Sequence, residues 1–120
     1  MGPFMNAGRS NTAAVVLEGV VWVVGGMGLD GRVLSSCEWL QPCEEDGGYG
    51  WRRGPSMRQP RIGHAACVVE NTEIWVVGGR GQHFGAVAQT EYFAEGRWWK
   101  GPRLPSSALV NPQWVGVVVL

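Results

Sequence analysis

Nearly the same seven-residue segment occurs twice in this chain. Residues 20–26 read VVWVVGG, and residues 73–79 read EIWVVGG. The agreement extends further, because GPFM at residues 2–5 returns as GPSM at 54–57 and as GPRL at 101–104. A repeat period of about 50 residues is typical of propeller blades and solenoid units, in which one supersecondary unit is used several times. The chain is therefore expected to fold as repeated units.

Each copy contains four short apolar or aromatic segments that are separated by turn residues. The segments are 13–17 and 65–69, then 20–24 and 74–77, then about 33–40 and 87–93, and a fourth that begins near Trp51 and Trp98. Residues 20–24 contain no polar side chain, so both faces of this strand must be covered. No segment has the apolar spacing of an amphipathic helix. The expected cover is another sheet of the same kind, as in a β-propeller.

Composition and charge limit the functions that are open to the chain. Ten basic and ten acidic residues give a formal net charge of zero, which does not favour binding to nucleic acid or to an anionic membrane. The 19 glycines and seven tryptophans suit short strands joined by tight turns. The three cysteines are an odd number and so leave one unpaired, which indicates a reducing compartment, and a cytoplasmic location is expected.

The order of motifs within each copy resembles the kelch repeat, and the resemblance covers almost the whole chain. An arginine precedes the first strand, the Trp-Val-Val-Gly-Gly segment forms the second, a glutamate followed by an aromatic residue lies in the third, and a tryptophan stands before Gly-Pro. The resemblance implies an all-β fold, a partial kelch-type β-propeller with two four-stranded antiparallel blades. The sequence departs from the family pattern by extra residues at 41–50, and by Trp22 and Trp75 where the family commonly has tyrosine.

The repeats divide the chain into four parts. Residues 9–57 and 58–107 are the two kelch blades, residues 1–8 are the tail of a preceding blade, and residues 108–120 are the first strand of a third blade. A closed propeller needs at least about four blades, so we expect the chain to be a piece of a longer protein or a truncated product. Two blades alone leave two sheet faces in water, and self-association through these uncovered faces is expected.

The sequence predicts no cofactor, no metal and no catalytic residue. Residues 26–31 fit Gly-x-Gly-x-x-Gly, but a dinucleotide site needs a helix next, and residues 32–37 are typical of a strand. These glycines are interpreted as turn residues. The three cysteines and His64 fit no compact metal-ligand spacing, and no serine lies in a nucleophile-elbow motif.

The recurring tryptophans indicate packing and not a ligand platform. Trp22 and Trp75 occupy matching places in the two copies, and so do Trp51 and Trp98. A side chain that every repeat needs is one that joins the repeats to each other. Trp99 has no copy at its aligned place and is the exception.

Arg9 and Arg61 precede the first strand of each copy and so fall in loops between blades, near the propeller mouth. The kelch resemblance implies that such arginines reach the central cavity and hold acidic side chains of a bound peptide, for which the guanidinium fork is suited. The alternative is a structural arginine that bonds to a neighbouring loop. The sequence leaves both interpretations open.

The loop between the second and third strands differs between the copies, at residues 27–32 and 80–85. Variation on a fixed scaffold is where specificity commonly resides. Arg80, His83 and Phe84 offer a cation, a titratable ring and an apolar anchor. Together with Arg61 and Arg9 they are the predicted partner-binding residues.

These observations predict a protein–protein interaction module without enzymatic activity. It is expected to bind a partner peptide, with acidic side chains as one option, through its inter-blade and inter-strand loops. The kelch resemblance also allows a role as the substrate-recognition part of a ubiquitin-ligase adaptor. A fragment of a propeller enzyme of the oxidase or isomerase type, and a truncated product with no function of its own, stay open as alternatives.

Overall fold

The structure is a computed structural model that describes Met5, residues 8–43, Glu45 and residues 47–105. The regular secondary structure of these residues is entirely β. None of them belongs to a helix with the length and apolar character that crossing a membrane requires. The predicted strand of a third blade, at 108–120, lies outside the described residues, as does most of the predicted tail at 1–8.

The strands form two antiparallel sheets, one for each sequence repeat. The first sheet contains β1 (Arg9–Ser10), β2 (Ala13–Leu17), β3 (Val20–Gly28), β4 (Val33–Pro42) and β5 (Tyr49–Arg53). The second sheet contains β6 (Ala65–Val69), β7 (Glu73–Val77), β8 (Gln89–Ala94) and β9 (Arg97–Arg103). Each sheet has the up-and-down order of a blade, and the short β1 is added beside β2 on the edge of β3. The predicted pair of four-stranded antiparallel blades is confirmed.

Tight turns set the register of the hairpins. Glu18 and Gly19 join β2 to β3 with φ angles of 52° and 79°, and Glu95 and Gly96 join β8 to β9 with φ angles of 54° and 81°. Two successive left-handed residues form the two-residue turn whose twist matches that of the flanking strands. The register that these turns fix decides which side chains face the other sheet.

The core lies between the two sheets. Val24 of the first sheet and Ile74 and Val76 of the second are 0% exposed. Trp22 reaches across to Phe93, and their ring centroids are 4.9 Å apart. The valine-rich strands are thus covered by a sheet of the same kind, and burial of this apolar surface is the main term that stabilises the pair of blades.

Among the differences between the observed and the expected strand boundaries, two have a clear physical reason. β3 continues through the double glycine, where its pairing with β4 shifts register as a bulge. A Cβ on Gly26 would lie 2.6 Å from the carbonyl oxygen of Ser10, so glycine alone allows β1 to approach here. β8 begins at Gln89 rather than at Val87. The backbone N–H of Val87 instead donates to the carbonyl oxygen of Gly79 at 3.0 Å, so Val87 closes the preceding loop.

Candidate recognition site

The side chain of Arg61 is completely buried, at 0% exposed. Its Nη1 donates to the carbonyl oxygen of Gly78 at 3.0 Å, and its Nη2 lies 3.1 Å from the Glu91 carboxylate and also donates to the carbonyl oxygen of Gln89. Burial lowers the pKa of Arg61, and the neighbouring Glu91 carboxylate opposes this shift. The guanidinium therefore joins the end of β7 to the start of β8 inside the second blade.

Glu91 connects this buried pair to the segment between the blades. Its two carboxylate oxygens accept hydrogen bonds from the backbone N–H groups of Arg58 at 2.6 Å and Gln59 at 3.1 Å. Glu91 is 0% exposed, and a buried carboxylate is tolerated only when donors of this kind surround it. The pair therefore holds the inter-blade connection against the second sheet.

Arg9 repeats this arrangement in the first sheet. Its Nη2 lies 2.9 Å from Glu38, and its Nη1 donates to the carbonyl oxygens of Gly25 at 3.0 Å and Ser36 at 2.8 Å. The side chain of Arg9 is also 0% exposed. The structural alternative that the sequence left open therefore accounts for the placement of both arginines. A role for Arg9 and Arg61 in partner binding stays a prediction.

The other three predicted residues lie together at the surface. Arg80, His83 and Phe84 are all exposed and belong to the loop between β7 and β8. We call residues 80–85 the recognition loop. Phe84 has 53% of its surface exposed, which is unusual for a side chain of this size and leaves an aromatic ring available for contact.

The recognition loop is held by hydrogen bonds within itself. The backbone N–H of Gly81 donates to the carbonyl oxygen of Gly85 at 3.0 Å, and that of Phe84 donates to the carbonyl oxygen of Gly81 at 2.9 Å. The Nη1 group of Arg80 donates to the carbonyl oxygen of Phe84 at 2.9 Å. The aromatic ring is therefore presented from a closed loop with a defined backbone path.

Phe84 adopts a left-handed backbone conformation with φ of 62°. The matching loop of the first blade is closed by the same two backbone bonds. The N–H of Gly28 donates to the carbonyl oxygen of Arg32 at 2.8 Å, and the N–H of Gly31 donates to the carbonyl oxygen of Gly28 at 3.0 Å. In that loop the residue equivalent to Phe84 is Gly31, with φ of 82°. The left-handed conformation costs a residue with a side chain about 1–2 kcal/mol. The second blade thus keeps a bulky aromatic where the first uses glycine.

A hydrogen bond between the blades places the two loops side by side. The side-chain oxygen of Gln82 accepts a bond from the backbone N–H of Val33, at the start of β4, with a length of 2.9 Å. The neighbouring loop presents Leu29, which is 94% exposed, and an exposed ion pair of Arg32 with Asp30 at 3.7 Å. The sequence singled out this loop as variable but did not identify Leu29 as an exposed apolar residue.

A cavity of about 260 Å³ lies beside the recognition loop. Its lining consists of Asn11 between β1 and β2, Ile62 and Gly63 between β5 and β6, and Gly79 and Arg80 after β7. The cavity lies next to the exposed side chain of Arg80.

Two of the side chains that were considered as metal ligands, Cys37 and His64, are buried. Cys37 is 0% exposed, and burial raises the pKa of its thiol to about 12. His64 is buried, and its Nε2 donates to the carbonyl oxygen of Val24 at 2.7 Å across the blade interface. Burial also lowers the pKa of His64. In the described part of the chain, no group of three or more histidine, cysteine or acidic side chains is placed to hold a metal ion.

Comparison with known proteins identifies relatives of this chain. The family model of the Kelch motif matches residues 8–58. The chain is 30% identical over 105 residues to kelch repeat protein M-T9 of Myxoma virus (strain Lausanne), which corresponds to 86% of this chain and 19% of the viral protein. It is 37% identical over 78 residues to an F-box/kelch-repeat protein of Arabidopsis thaliana, or 63% of this chain and 19% of the plant protein. The chain thus spans about a fifth of each relative.

A solved structure with the same fold is that of YjhT. It superposes with a TM-score of 0.69 and 15% sequence identity, and the match covers 82% of this chain and 33% of YjhT. At this identity the likeness concerns the fold alone. With the repeated blades, the family match and the kelch relatives together, the chain belongs to the kelch-repeat family and folds as two blades of a β-propeller.

Proposed function

We propose that this chain is a protein-recognition module that binds a partner peptide through the recognition loop. The observation that carries the proposal is Phe84, half exposed and held at a φ of 62° where the other blade has glycine. Backbone strain of this kind persists when the surroundings enforce it, and it clusters at binding sites. A pre-positioned aromatic side chain contributes contact area at low entropic cost, which is the property of an interface hot spot.

The chemistry around Phe84 indicates the kind of peptide that fits. Arg80 uses Nη1 to bind the loop backbone and presents the rest of its guanidinium to solvent, where it suits a carboxylate. Leu29 of the neighbouring loop adds a second exposed apolar side chain, and His83 adds an imidazole. The arrangement fits a peptide in which an acidic residue stands close to an apolar one.

The kelch relatives support a binding function, since kelch repeats are generally protein-interaction modules. One relative is an F-box/kelch-repeat protein. This supports a finer proposal, that the chain serves as the substrate-recognition part of a ubiquitin-ligase adaptor. In that case the recognition loop selects the protein to be modified.

Selection from a phage-displayed library of random peptides tests the proposal. We expect the wild-type chain to enrich peptides that combine acidic and apolar residues. Their affinities, measured by fluorescence polarisation, should fall at least about tenfold, or 1.4 kcal/mol, with Arg80→Met and with Phe84→Gly. Tyr49→Ser is the matched control, because Tyr49 is also an exposed aromatic, at 60%, but lies on β5 away from the loop.

Two results would overturn the proposal. The first is a set of selected peptides that bind Arg80→Met and Phe84→Gly as tightly as the wild type. The second is an equal loss of affinity in Tyr49→Ser, which would place the binding surface outside the recognition loop.

A further inference from the structure

A second cavity, also of about 260 Å³, lies between the two blades, and we call it the tryptophan cavity. Its lining consists of three aromatic rings, two aliphatic side chains and one carboxylate, from Trp22, Trp39, Phe93, Leu17, Val20 and Glu18. Glu18 stands before the start of β3, whereas the recognition loop follows the end of β7, the equivalent strand of the second blade. The cavity is therefore at the opposite end of the strands from the recognition loop. Both of its walls belong to the two described blades, so it does not depend on any further blade.

The three rings of the tryptophan cavity are held in place by their neighbours. The ring centroid of Trp22 lies 4.9 Å from that of Trp39 and 4.9 Å from that of Phe93, with interplanar angles of 39° and 49°. The Nε1 group of Trp39 donates to the side-chain oxygen of Gln41 at 2.7 Å. A Cβ on Gly54 would lie 2.6 Å from a ring carbon of Trp39, so the backbone packs directly on this ring. Several rings in fixed positions around a cavity are the components of an aromatic cage for a cation.

The carboxylate of Glu18 gives the tryptophan cavity a negative charge. Glu18 is exposed and belongs to the turn of two left-handed residues that joins β2 to β3. Its side chain forms no ion pair with another described residue, and no described lysine, arginine or histidine lines the cavity. A carboxylate attracts a cation, and the negative faces of aromatic rings attract it as well. The lining thus favours a positively charged group over a neutral one.

The second blade already holds a cation on an aromatic ring at the matching end of its sheet. The guanidinium carbon of Arg97 lies 3.4 Å from the ring centroid of Trp99. Trp99 pairs directly with Tyr92 across β8 and β9, and Tyr92 is the copy of Trp39, since each pairs with the repeated tryptophan of its own blade. Directly paired residues point to the same face of a sheet. The Arg97 cation therefore lies on the face that corresponds to the wall formed by Trp39.

The first blade has no arginine at that position. Gly50 directly precedes Trp51, as Arg97 directly precedes Trp98, and the registers of the two blades agree at this point. A Cβ on Gly50 would meet no described atom within 4 Å, so the space beside it is open. Arg52 pairs with Trp39, but it is exposed and does not line the cavity. The place that Arg97 takes in the second blade is thus free for a cation from another molecule.

We propose that the tryptophan cavity binds a quaternary ammonium group, carried by the side chain of a trimethylated lysine in a partner protein. Such a group has no N–H donor that needs an acceptor, which suits walls of rings and aliphatic side chains. An unmodified lysine brings three strongly hydrated N–H donors, and the lining offers one carboxylate, that of Glu18. The flexible four-carbon stem of lysine carries the charged group into a cavity between two blades.

The size of the cavity agrees with this occupant. Pockets for drug-sized ligands have volumes of roughly 300–1,000 Å³, and the tryptophan cavity, at about 260 Å³, is smaller. It therefore accepts the head group of a side chain and not a whole drug-sized molecule. This site is separate from the recognition loop, and the proposal does not rest on peptide binding there.

NMR titration of the ¹⁵N-labelled chain tests the proposal. The probe is a blocked Gly-Ser-Lys-Ser-Gly peptide whose lysine is trimethylated, unmodified, or replaced by the neutral isostere in which carbon takes the place of the ammonium nitrogen. The trimethylated peptide should shift the indole N–H signal of Trp39. It should bind at least about tenfold more tightly than the unmodified peptide and than the neutral isostere.

Charge changes of opposite sign locate the site on exposed residues whose replacement leaves the core intact. Glu18→Gln should weaken binding of the trimethylated peptide about fivefold, which is the effect of one unit charge at about 4 Å in water. Arg52→Gln should strengthen binding, because it removes a like charge from the strand beside Trp39. Glu70→Gln is the matched control, since Glu70 has the same left-handed conformation in the second blade, with φ of 53°, but lies outside the lining. Phe84→Gly, in the recognition loop, should also bind like the wild type.

The proposal is overturned by equal affinities for the trimethylated, unmodified and neutral peptides, or by an unchanged affinity in Glu18→Gln. It is also overturned if choline binds and the trimethylated peptide does not, because the occupant is then a choline head group and not a lysine side chain. An equal loss of affinity in Phe84→Gly would place the contact at the recognition loop and contradict a separate site.

Discussion

The buried Arg61–Glu91 pair gives the sharpest prediction for stability. Replacement of Arg61 by methionine keeps most of the side-chain volume but removes the guanidinium. Among the described residues, Glu91 then keeps the backbone N–H groups of Arg58 and Gln59 as donors. The carbonyl oxygen of Gly78 also loses the donor that lies 3.0 Å away.

The magnitude follows from burial. Both side chains are 0% exposed, and loss of one partner of a buried ion pair costs about 3–5 kcal/mol, since the remaining charge is left uncompensated. This is a large share of the roughly 5–15 kcal/mol that holds an ordinary domain together. The double replacement Arg61→Met with Glu91→Gln should recover part of the loss, because it removes the unpaired charge.

Urea unfolding followed by tryptophan fluorescence, at one fixed chain concentration, measures the effect. Arg80→Met is the matched control, because Arg80 is exposed and its loss should change stability by no more than about 0.5 kcal/mol. If Arg61→Met also lowers the free energy of unfolding by less than about 1 kcal/mol, the guanidinium does not stabilise the blade as its hydrogen bonds and ion pair predict. In that case the recognition role predicted from the sequence would be favoured.

Three further predictions concern other buried side chains. Burial lowers the pKa of His64 from its ordinary value of about 6.5, so stability should fall as the pH drops below about 6.5, because the unfolded chain takes up the proton first. Urea titrations between about pH 5 and 7.5 should show a smaller pH dependence in His64→Gln, and an unchanged dependence would contradict this reasoning. Burial raises the pKa of Cys37 to about 12, so iodoacetamide should modify Cys43 before Cys37 in the native protein, and mass spectrometry showing the reverse order would refute it. Trp22→Ala should lower the free energy of unfolding by about 3–5 kcal/mol. Trp75→Ala should lower it by less, since Trp75 is only half-buried. Equal losses in urea unfolding would contradict this difference in burial.

The repeated segments were sufficient to predict the blades, because both copies carry the same apolar strands and turn residues. The hairpin that joins β2 to β3 turns at Glu18 and Gly19, between the first two apolar segments of the first copy. The short β1 was missed, since two residues have no detectable periodicity. The extension of β3 through Gly26 was also missed, because it depends on how closely the backbone of Ser10 approaches.

The candidate site was less accessible to sequence reasoning, because it depends on contacts between distant residues. The sequence could not place Arg61 inside the blade, since its carboxylate partner Glu91 comes from a different strand. The bond between Gln82 and Val33 joins the two repeats and leaves no local signal. A signal for Phe84 was present, however, because it stands where the first copy has a glycine.

The most direct test of the account is Phe84→Gly, measured for both stability and binding. Release of about 1–2 kcal/mol of backbone strain is partly offset by the greater freedom of glycine in the unfolded chain, about 0.5–1 kcal/mol. We therefore expect the urea midpoint of Phe84→Gly to be unchanged or higher, and its affinity for the selected peptides to be at least about tenfold lower. Unchanged affinity together with a clearly lower midpoint would mean that Phe84 serves the fold and not recognition.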